Sequence, residues 1–369
     1  MYLYAIIIIV ATYIIVSAYV KRNPISRNKV IHKTSFDKRL YNPGEEIILT
    51  TKIENTSSFP IRRLYVKHTI DKEFNVLCEE NYKINKDIHG KKELFYRTEI
   101  GKRGEKEVQT RFKIEKRGVY CAHKINLEYV DYLGLHANSC ELEDKQRVII
   151  APPRVSNKFL DKIIAQGYGD GVHKRGYIND ETSIRSYGEY TGHEPMRHIN
   201  WKKTAQADDF MVKQFEPMGA HVTTIVFDLS GYGTAVFDER VSEWIEYAIS
   251  MLREIFEYFE ENKIPYKFFT NARSSHIRYN QFTSTASGNK TRLLMLEMLG
   301  ELDVVLRNRE YQAGSSALLE QAIKNMEKAQ MVYIAPRKKC NLTHKIRKTS
   351  KIKGVEIIEL YSADYCKKN

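Results

Sequence analysis

The sequence predicts a mixed chain in three parts: an N-terminal transmembrane helix, a β-sandwich domain, and an α/β doubly wound domain. Three observations predict it. Leu3 to Val20 is uncharged and dominated by Ile, Val, Ala and Tyr. From about residue 35 to 152 the chain reads as short alternating runs between polar turns. From His221 it changes to apolar strands alternating with amphipathic helices. The 369 residues are enough for two domains behind an anchor. A composition of 42% hydrophobic and 28% charged residues suits globular domains rather than disorder.

Residues 1–20 are expected to be the anchor. At about 1.5 Å per residue, Leu3–Val20 just reaches across a hydrocarbon core of about 30 Å. Lys21, Arg22, Arg27 and Lys29 follow it and no basic residue precedes it. The positive-inside rule then places the bulk of the chain in the cytoplasm, on a single-pass cell-membrane protein. The rival is a cleaved signal peptide, but no basic n-region precedes the run and only Ser17-Ala18 resembles a cleavage site.

Residues 21–39 form a basic juxtamembrane segment with seven Lys or Arg against one acid, Asp37. Lys21, Arg22, Arg27 and Lys29 are candidates for binding an anionic surface, each worth roughly 1 kcal/mol near headgroups. The net charge of +13 points the same way, or towards nucleic acid or an acidic partner. The five cysteines are scattered, odd in number and form no C-x-x-C pair, so neither zinc nor a disulfide framework is indicated and a reducing compartment fits best.

Residues 40–152 are the expected β-sandwich. Asn42-Pro43-Gly44 signals a turn. From Glu46 to Asn55, Ile47, Leu49, Thr51 and Ile53 alternate with Ile48, Thr50 and Lys52, the pattern of a half-buried strand. Asn55 to Ser58 turns the chain. Further strands are expected over Arg62–Ile70, Leu94–Ile100, Val108–Ile114, Val119–Tyr129 and Arg147–Ala151, and strands at such intervals suggest a sandwich.

Residues 153–220 are a connector followed by a dense aromatic and cationic stretch. Gly167, Gly169, Gly171 and Gly176 crowd the connector, but no Gly-Lys-Ser ending follows, so a mobile link is expected rather than a phosphate loop. Arg185, Tyr187, Arg197, Trp201 and Lys202 lie close together in the next stretch, as in partly buried guanidinium–aromatic contacts. His193-Glu194 with His198 lacks the zinc-binding H-E-x-x-H spacing and contains Pro195.

Residues 221–369 are the α/β domain. Val222–Asp228 is an apolar run of the kind buried on both faces of a parallel sheet. Arg240–Asn262 is expected as a helix, with Val241, Trp244, Ile245, Ala248, Ile249, Leu252, Ile255, Phe256 and Phe259 on one stripe and Glu243, Glu246, Arg253, Glu254 and Glu257 off it. Strands at Pro265–Thr270, Gln330–Ala335 and Val355–Leu360, with helices at Lys290–Val305 and Ser315–Lys328, imply a mainly parallel sheet covered on both faces. Eight Lys or Arg and no acid lie between Arg337 and Lys353.

Several of these residues carry a family resemblance. Arg185-x-Tyr187, Gly192, Arg197, Ile199-Asn200-Trp201-Lys202 and Ala205 resemble the signature of the "domain of unknown function 58" family, with a longer loop and with His193-Glu194 in place of the family's acid after the glycine. Arg117-Gly118-x-Tyr120 and Asp131-x-x-Gly134-Leu135 resemble its preceding strand and turn, so the likeness covers roughly residue 40 onward. The resemblance implies a von Willebrand factor A-like C-terminal domain. Asp228 and Ser230 then match the first two metal ligands of that domain's motif, and Ser315 stands for its threonine. Tyr232 replaces the second serine and the later aspartate is absent, so Mg²⁺ would meet an incomplete donor set, and no other cofactor is implied. The resemblance also implies a MoxR-type AAA+ ATPase partner. The expected function is a non-enzymatic membrane-anchored scaffold or adaptor. The alternative is nucleic-acid or anionic-lipid binding through the basic segments; nucleic acid ranks lower because the motifs of the common RNA modules are absent.

Overall fold

A computed structural model describes residues 2–22, 30–58, 60–77, 83–86, 90–130, 137–167, 179–192, 196–206, 209–217, 222–229, 239–270, 272, 281–284, 289–302, 331–338 and 357–366. The chain divides into two compact units, residues 1–153 with 299–301, and residues 154–298 with 302–369.

The membrane anchor is not upheld. Helix α1 (Tyr2–Arg22) forms, but among the described residues no helix is long and apolar enough to cross a membrane. Its uncharged stretch, 18 residues at about 1.5 Å each, spans about 27 Å, at the lower limit for a core of about 30 Å. Tyr4, Thr12, Tyr13 and Ser17 also interrupt the aliphatic run. Single-pass anchoring at a cell membrane, and the orientation drawn from it, are withdrawn. The fold class is therefore corrected to a β-sandwich unit and an α/β unit, with no membrane-spanning helix among the described residues.

The sandwich has two sheets. One orders β1 (Val30–Phe36), β3 (Glu46–Asn55), β8 (Glu105–Lys113) and β5 (Asn75–Val76) as β1-β3-β8-β5. The other orders β2 (Leu40–Tyr41), β10 (Ala137–Ile150), β9 (Gly118–Val130), β4 (Ile61–Asp71), β7 (Lys91–Ile100) and β6 (Lys83–Lys86) as β2-β10-β9-β4-β7-β6. The alternation in β3 is obeyed: Ile47, Leu49, Thr51 and Ile53 are buried while Ile48, Thr50 and Lys52 are not. They meet Leu64, Val66, Leu94, Phe112, Leu127 and Val148 in two core clusters. The basic segment was expected to end at residue 39, yet Val30–Phe36 is a strand, paired antiparallel to β3 with Val30 and Thr34 inward. An outward lysine, Lys33, suits its position at the sheet edge.

The turns follow local chemistry. Gly44 takes φ +73°, a left-handed conformation that glycine adopts without strain. Buried Asn55 donates to the Gly101 carbonyl at 2.9 Å and accepts from the Ser57 amide at 3.1 Å. The Tyr120 hydroxyl donates to the Lys116 carbonyl at 3.0 Å, a latch of the kind that pins sandwich corners. A Cβ on Gly118 would sit 3.3 Å from that tyrosine ring, which explains the Gly-x-Tyr spacing.

In the second unit the sheet order is β15 (Gln281–Ser284), β14 (Tyr266–Thr270), β13 (Thr223–Phe227), β16 (Met331–Ala335), β17 (Ile357–Tyr361). All pairs are parallel except β14 with β15. Central strands β13 and β16 are buried along their whole length, as predicted for apolar runs covered on both faces. Helix α4 (Glu239–Glu261) packs its Phe256 on Phe268 and Tyr266, with ring centroids 5.1 and 5.2 Å apart. Helix α5 (Asn289–Glu301) follows β15. A short helix in the connector, α2 (Leu160–Gly167), was not expected from the glycine-rich sequence beside it. The expected helix Ser315–Lys328 lies outside the described residues.

Three of the charged residues of α4 that lie off its apolar stripe are also buried, which the helical pattern did not predict. Arg253, Glu254 and Glu257 are 4–5% exposed. Glu257 accepts from Arg154 at 2.6 Å, Arg253 at 3.2 Å and Arg292 at 3.4 Å. The Val155 amide donates to Glu254 at 3.3 Å. These contacts tie the segment before α2 and the start of α5 to α4.

Two stability measurements check this account. Leu49→Ala should cost about 3 kcal/mol by chemical denaturation, whereas Ile48→Ala, on the outer face, should cost under about 1 kcal/mol. Glu257→Gln should cost about 2–3 kcal/mol, less than a wholly buried pair because Arg154 is largely solvated.

Candidate functional site

The sequence-derived residues fall in two places within the second unit, a strand end and a hairpin. At the strand end, Asp228 follows β13 and is 2% exposed. Its amide donates to the Ile334 carbonyl at 2.9 Å. The Tyr333 hydroxyl, from the neighbouring β16, donates to its Oδ2 at 2.8 Å. Register explains the pair: Val226 is opposite Tyr333, so Asp228, two residues on, leaves the sheet on the same face. Tyr333 was not foreseen as a site residue. It stands one strand away, and strand adjacency is not readable from spacing. Ser230 and Ser315, the other candidate Mg²⁺ ligands, lie outside the described residues, and among the described residues no group of three or more His, Cys, Asp or Glu is placed to hold a metal.

The hairpin joins β11 (Asn179–Glu189) to β12 (Met211–Pro217), which pair antiparallel with Tyr187 opposite Lys213 and Gly188 opposite Val212. Between them the family-like residues make a compact turn. Gly192 takes φ +89°, a conformation that disfavours any side chain. Ile199 is 5% exposed and bridges to Val212, anchoring the segment on β12. The Asn200 amide donates to the Met211 carbonyl at 2.8 Å. The Asn200 side chain caps the one-turn helix α3 (Trp201–Thr204), accepting from the amides of Lys202 and Lys203. The Thr204 hydroxyl in turn accepts from the Met211 amide at 3.0 Å. Arg197 donates to His198 and is exposed, as are Lys202 and Ala205. The side chain of Arg185 lies outside the described residues.

Two of the hairpin's aromatic residues are largely exposed. Trp201 is 61% exposed and meets Phe210, 52% exposed, edge to face at 6.2 Å. Tyr190 meets Phe210 at 6.4 Å. Lys203 lies over Tyr187, 5.9 Å from the ring centroid. Among the described residues the hairpin is a two-stranded sheet with one helical turn, and these rings gain no further layer from it.

Lys21 and Arg22 end α1, and Arg27 and Lys29 lie outside the described residues, as do residues 339–356 of the C-terminal basic run. The described cysteines offer little nucleophilic character. Burial and then the Asp71 carboxylate push the Cys121 thiol pKa up, and burial and Glu243 do so for Cys366.

No family model matches the chain, and no curated protein matches it. Similar solved structures include the ASH/PapD-like domain of human CEP192, at 14% identity over 35% of this chain and 90% of that domain, with a TM-score of 0.23. A type I cohesin of Pseudobacteroides cellulosolvens is 14% identical over 34% of this chain and 94% of that one, TM-score 0.23. A non-cellulosomal cohesin of the archaeon Archaeoglobus fulgidus is 14% identical over 35% and 95%, TM-score 0.23. At such scores the likeness carries no functional weight. The β-sandwich stands on the strand pairing itself.

Two measurements follow. Tyr333→Phe should destabilise the protein by about 1–3 kcal/mol in denaturant, because it removes a buried donor to a carboxylate. Peptide-resolved labelling with iodoacetamide at pH 7 should find Cys121 reacting at least about tenfold more slowly than free cysteine.

Proposed function

We propose that the protein is a non-enzymatic scaffold or adaptor that engages a protein partner through its second unit. The observation that carries the reading is the set of large apolar side chains held in solvent on the hairpin, with Met196, Trp201 and Phe210 at 69, 61 and 52% exposure. Such side chains on a surface held by defined hydrogen bonds cost solvation without adding to a core, and Trp and Tyr are the residues that dominate binding energy at interfaces. The signature resemblance supports the reading from a separate direction, because it names a partner class, the MoxR-type AAA+ ATPases.

Asp228 sits at the strand end, where the sequence placed it. With Tyr333 on its carboxylate and 2% exposure, it supports the strand end rather than offering a free contact. The hairpin is therefore the favoured contact.

The test is an affinity pull-down from native lysate with the full chain as bait, with and without ATP and Mg²⁺. Nucleotide-dependent recovery of an AAA+ ATPase is expected. Recovery of no protein, or only of nucleic acid or lipid lost at moderate salt, would overturn the reading.

A further inference from the structure

A layer of polar side chains crosses the sandwich between its two apolar clusters. One cluster gathers around Leu49 and Phe112, the other around Ile53 and Leu127. Between them, Thr34 on β1 stands opposite Thr51 on β3, and Thr110 on β8 lies diagonal to Thr51, opposite Leu49. All three are buried, and so is His68 on β4, at 1% exposure. His68 points inward between Val66 and Ile70, with Leu94 and Ile125 opposite it on the flanking strands. Its Nε2 lies 3.4 Å from the Thr51 hydroxyl and 3.5 Å from the Tyr96 hydroxyl, and its ring stacks on Tyr96 at 5.8 Å. The buried side chains described in this unit include no carboxylate, lysine or arginine. The titratable groups on the inward side near His68 are therefore Tyr96 from β7 and half-buried His32 from β1, while β3, β8 and β9 bring Thr51, Thr110 and Ile125.

We propose that His68 makes the sandwich acid-sensitive: the folded unit holds it as a neutral imidazole, and its protonation releases the edge strand β1. Burial disfavours an imidazolium, because hydroxyls and aliphatic groups solvate it less well than water does. The opened chain takes up the proton freely, near the ordinary histidine value of about 6.5. Stability is therefore full above that value and is lost as pH falls below it, since the opened state binds the extra proton. Strand β1 is the element that gives way. It lies at the edge of its sheet, and its Thr34 hydroxyl is buried with no hydrogen-bond partner among the described residues. Its release brings water to Thr51 and from there to His68.

Peptide-resolved hydrogen exchange of the full-length protein tests this, with rates corrected for the intrinsic effect of pH. From about pH 7.5 to about pH 5.5 the opening equilibrium of β1 should rise about tenfold, the value for one proton taken up on opening. In His68→Gln, which keeps a polar group but cannot charge, the rise should fall below about twofold. His123, which meets Asp71 at 2.7 Å, is present in both proteins, so the comparison isolates His68. Equal pH dependence in the two proteins would overturn the proposal. So would an acid response that survives in His68→Gln and disappears in His32→Gln. Where His68→Gln does not fold, carbon-13 NMR of histidine-labelled wild type decides, with the His68 signal assigned through its contact with Tyr96. A His68 that stays neutral down to about pH 5.5 while β1 exchange rises supports the proposal. A His68 that titrates near about pH 6.5 with β1 still protected refutes it.

Discussion

Two carboxylates carried into the interior by α4 are the constraint around which the second unit is arranged. Glu254 and Glu257 lie one turn apart on a helix buried over most of its circumference. Burying an unpaired charge is so costly that cations must be brought to them. One comes from the same helix, Arg253, at the i,i+4 spacing that lets side chains meet. The others come from outside it. Arg154 reaches in from the segment ahead of α2, and Arg292 from the first turns of α5. Apolar packing alone would let α4 slide or rotate on the sheet. The ion cluster selects one register, because each guanidinium must end within reach of one carboxylate pair.

The sheet beneath obeys a related rule. Its central strands are apolar on both faces, so the first polar residue beyond β13 emerges into a nearly buried setting. Asp228 is that residue, and Tyr333 satisfies it from the next strand. The hairpin shows the opposite economy. Its backbone is closely satisfied, with Asn200, Thr204 and Ile199 each fixing the chain to β12, while its largest side chains remain in water. Local order without burial of the rings is what separates a presented surface from an incidental loop.

Much of this fold was legible in the chain. Period-two alternation placed β3 and its inward residues correctly, since a half-buried sheet face leaves a direct trace in sequence. The apolar run at residue 222 and the periodic one after residue 240 placed β13 and α4 within about two residues, as expected for long, strongly patterned elements. Two readings failed, each for a physical reason. The apolar stretch of α1 was taken to span a membrane, but hydropathy describes a segment's preference and its length decides whether it reaches across. The basic segment hid β1, because an edge strand tolerates outward lysines that disguise its alternation. Of the candidate site, the family-like residues were legible as a dense motif, and Asn200 and Gly192 now have structural roles. Tyr333 was missed because it acts through Asp228, 105 residues away in sequence.

Strand and helix identity, the inward set of β3, the turn glycine at residue 44, and the charge and aromatic content of the signature were determined by the sequence itself. These depend on periods of two and 3.6 residues and on backbone preferences, all of which are local. Tertiary structure alone decided that Glu254 and Glu257 are buried and neutralised, that Asp228 is held by Tyr333, and that Trp201 and Phe210 stay exposed. Burial is a property of what lies opposite a residue, and what lies opposite is set by sheet order and by the number of layers, neither of which a linear pattern encodes.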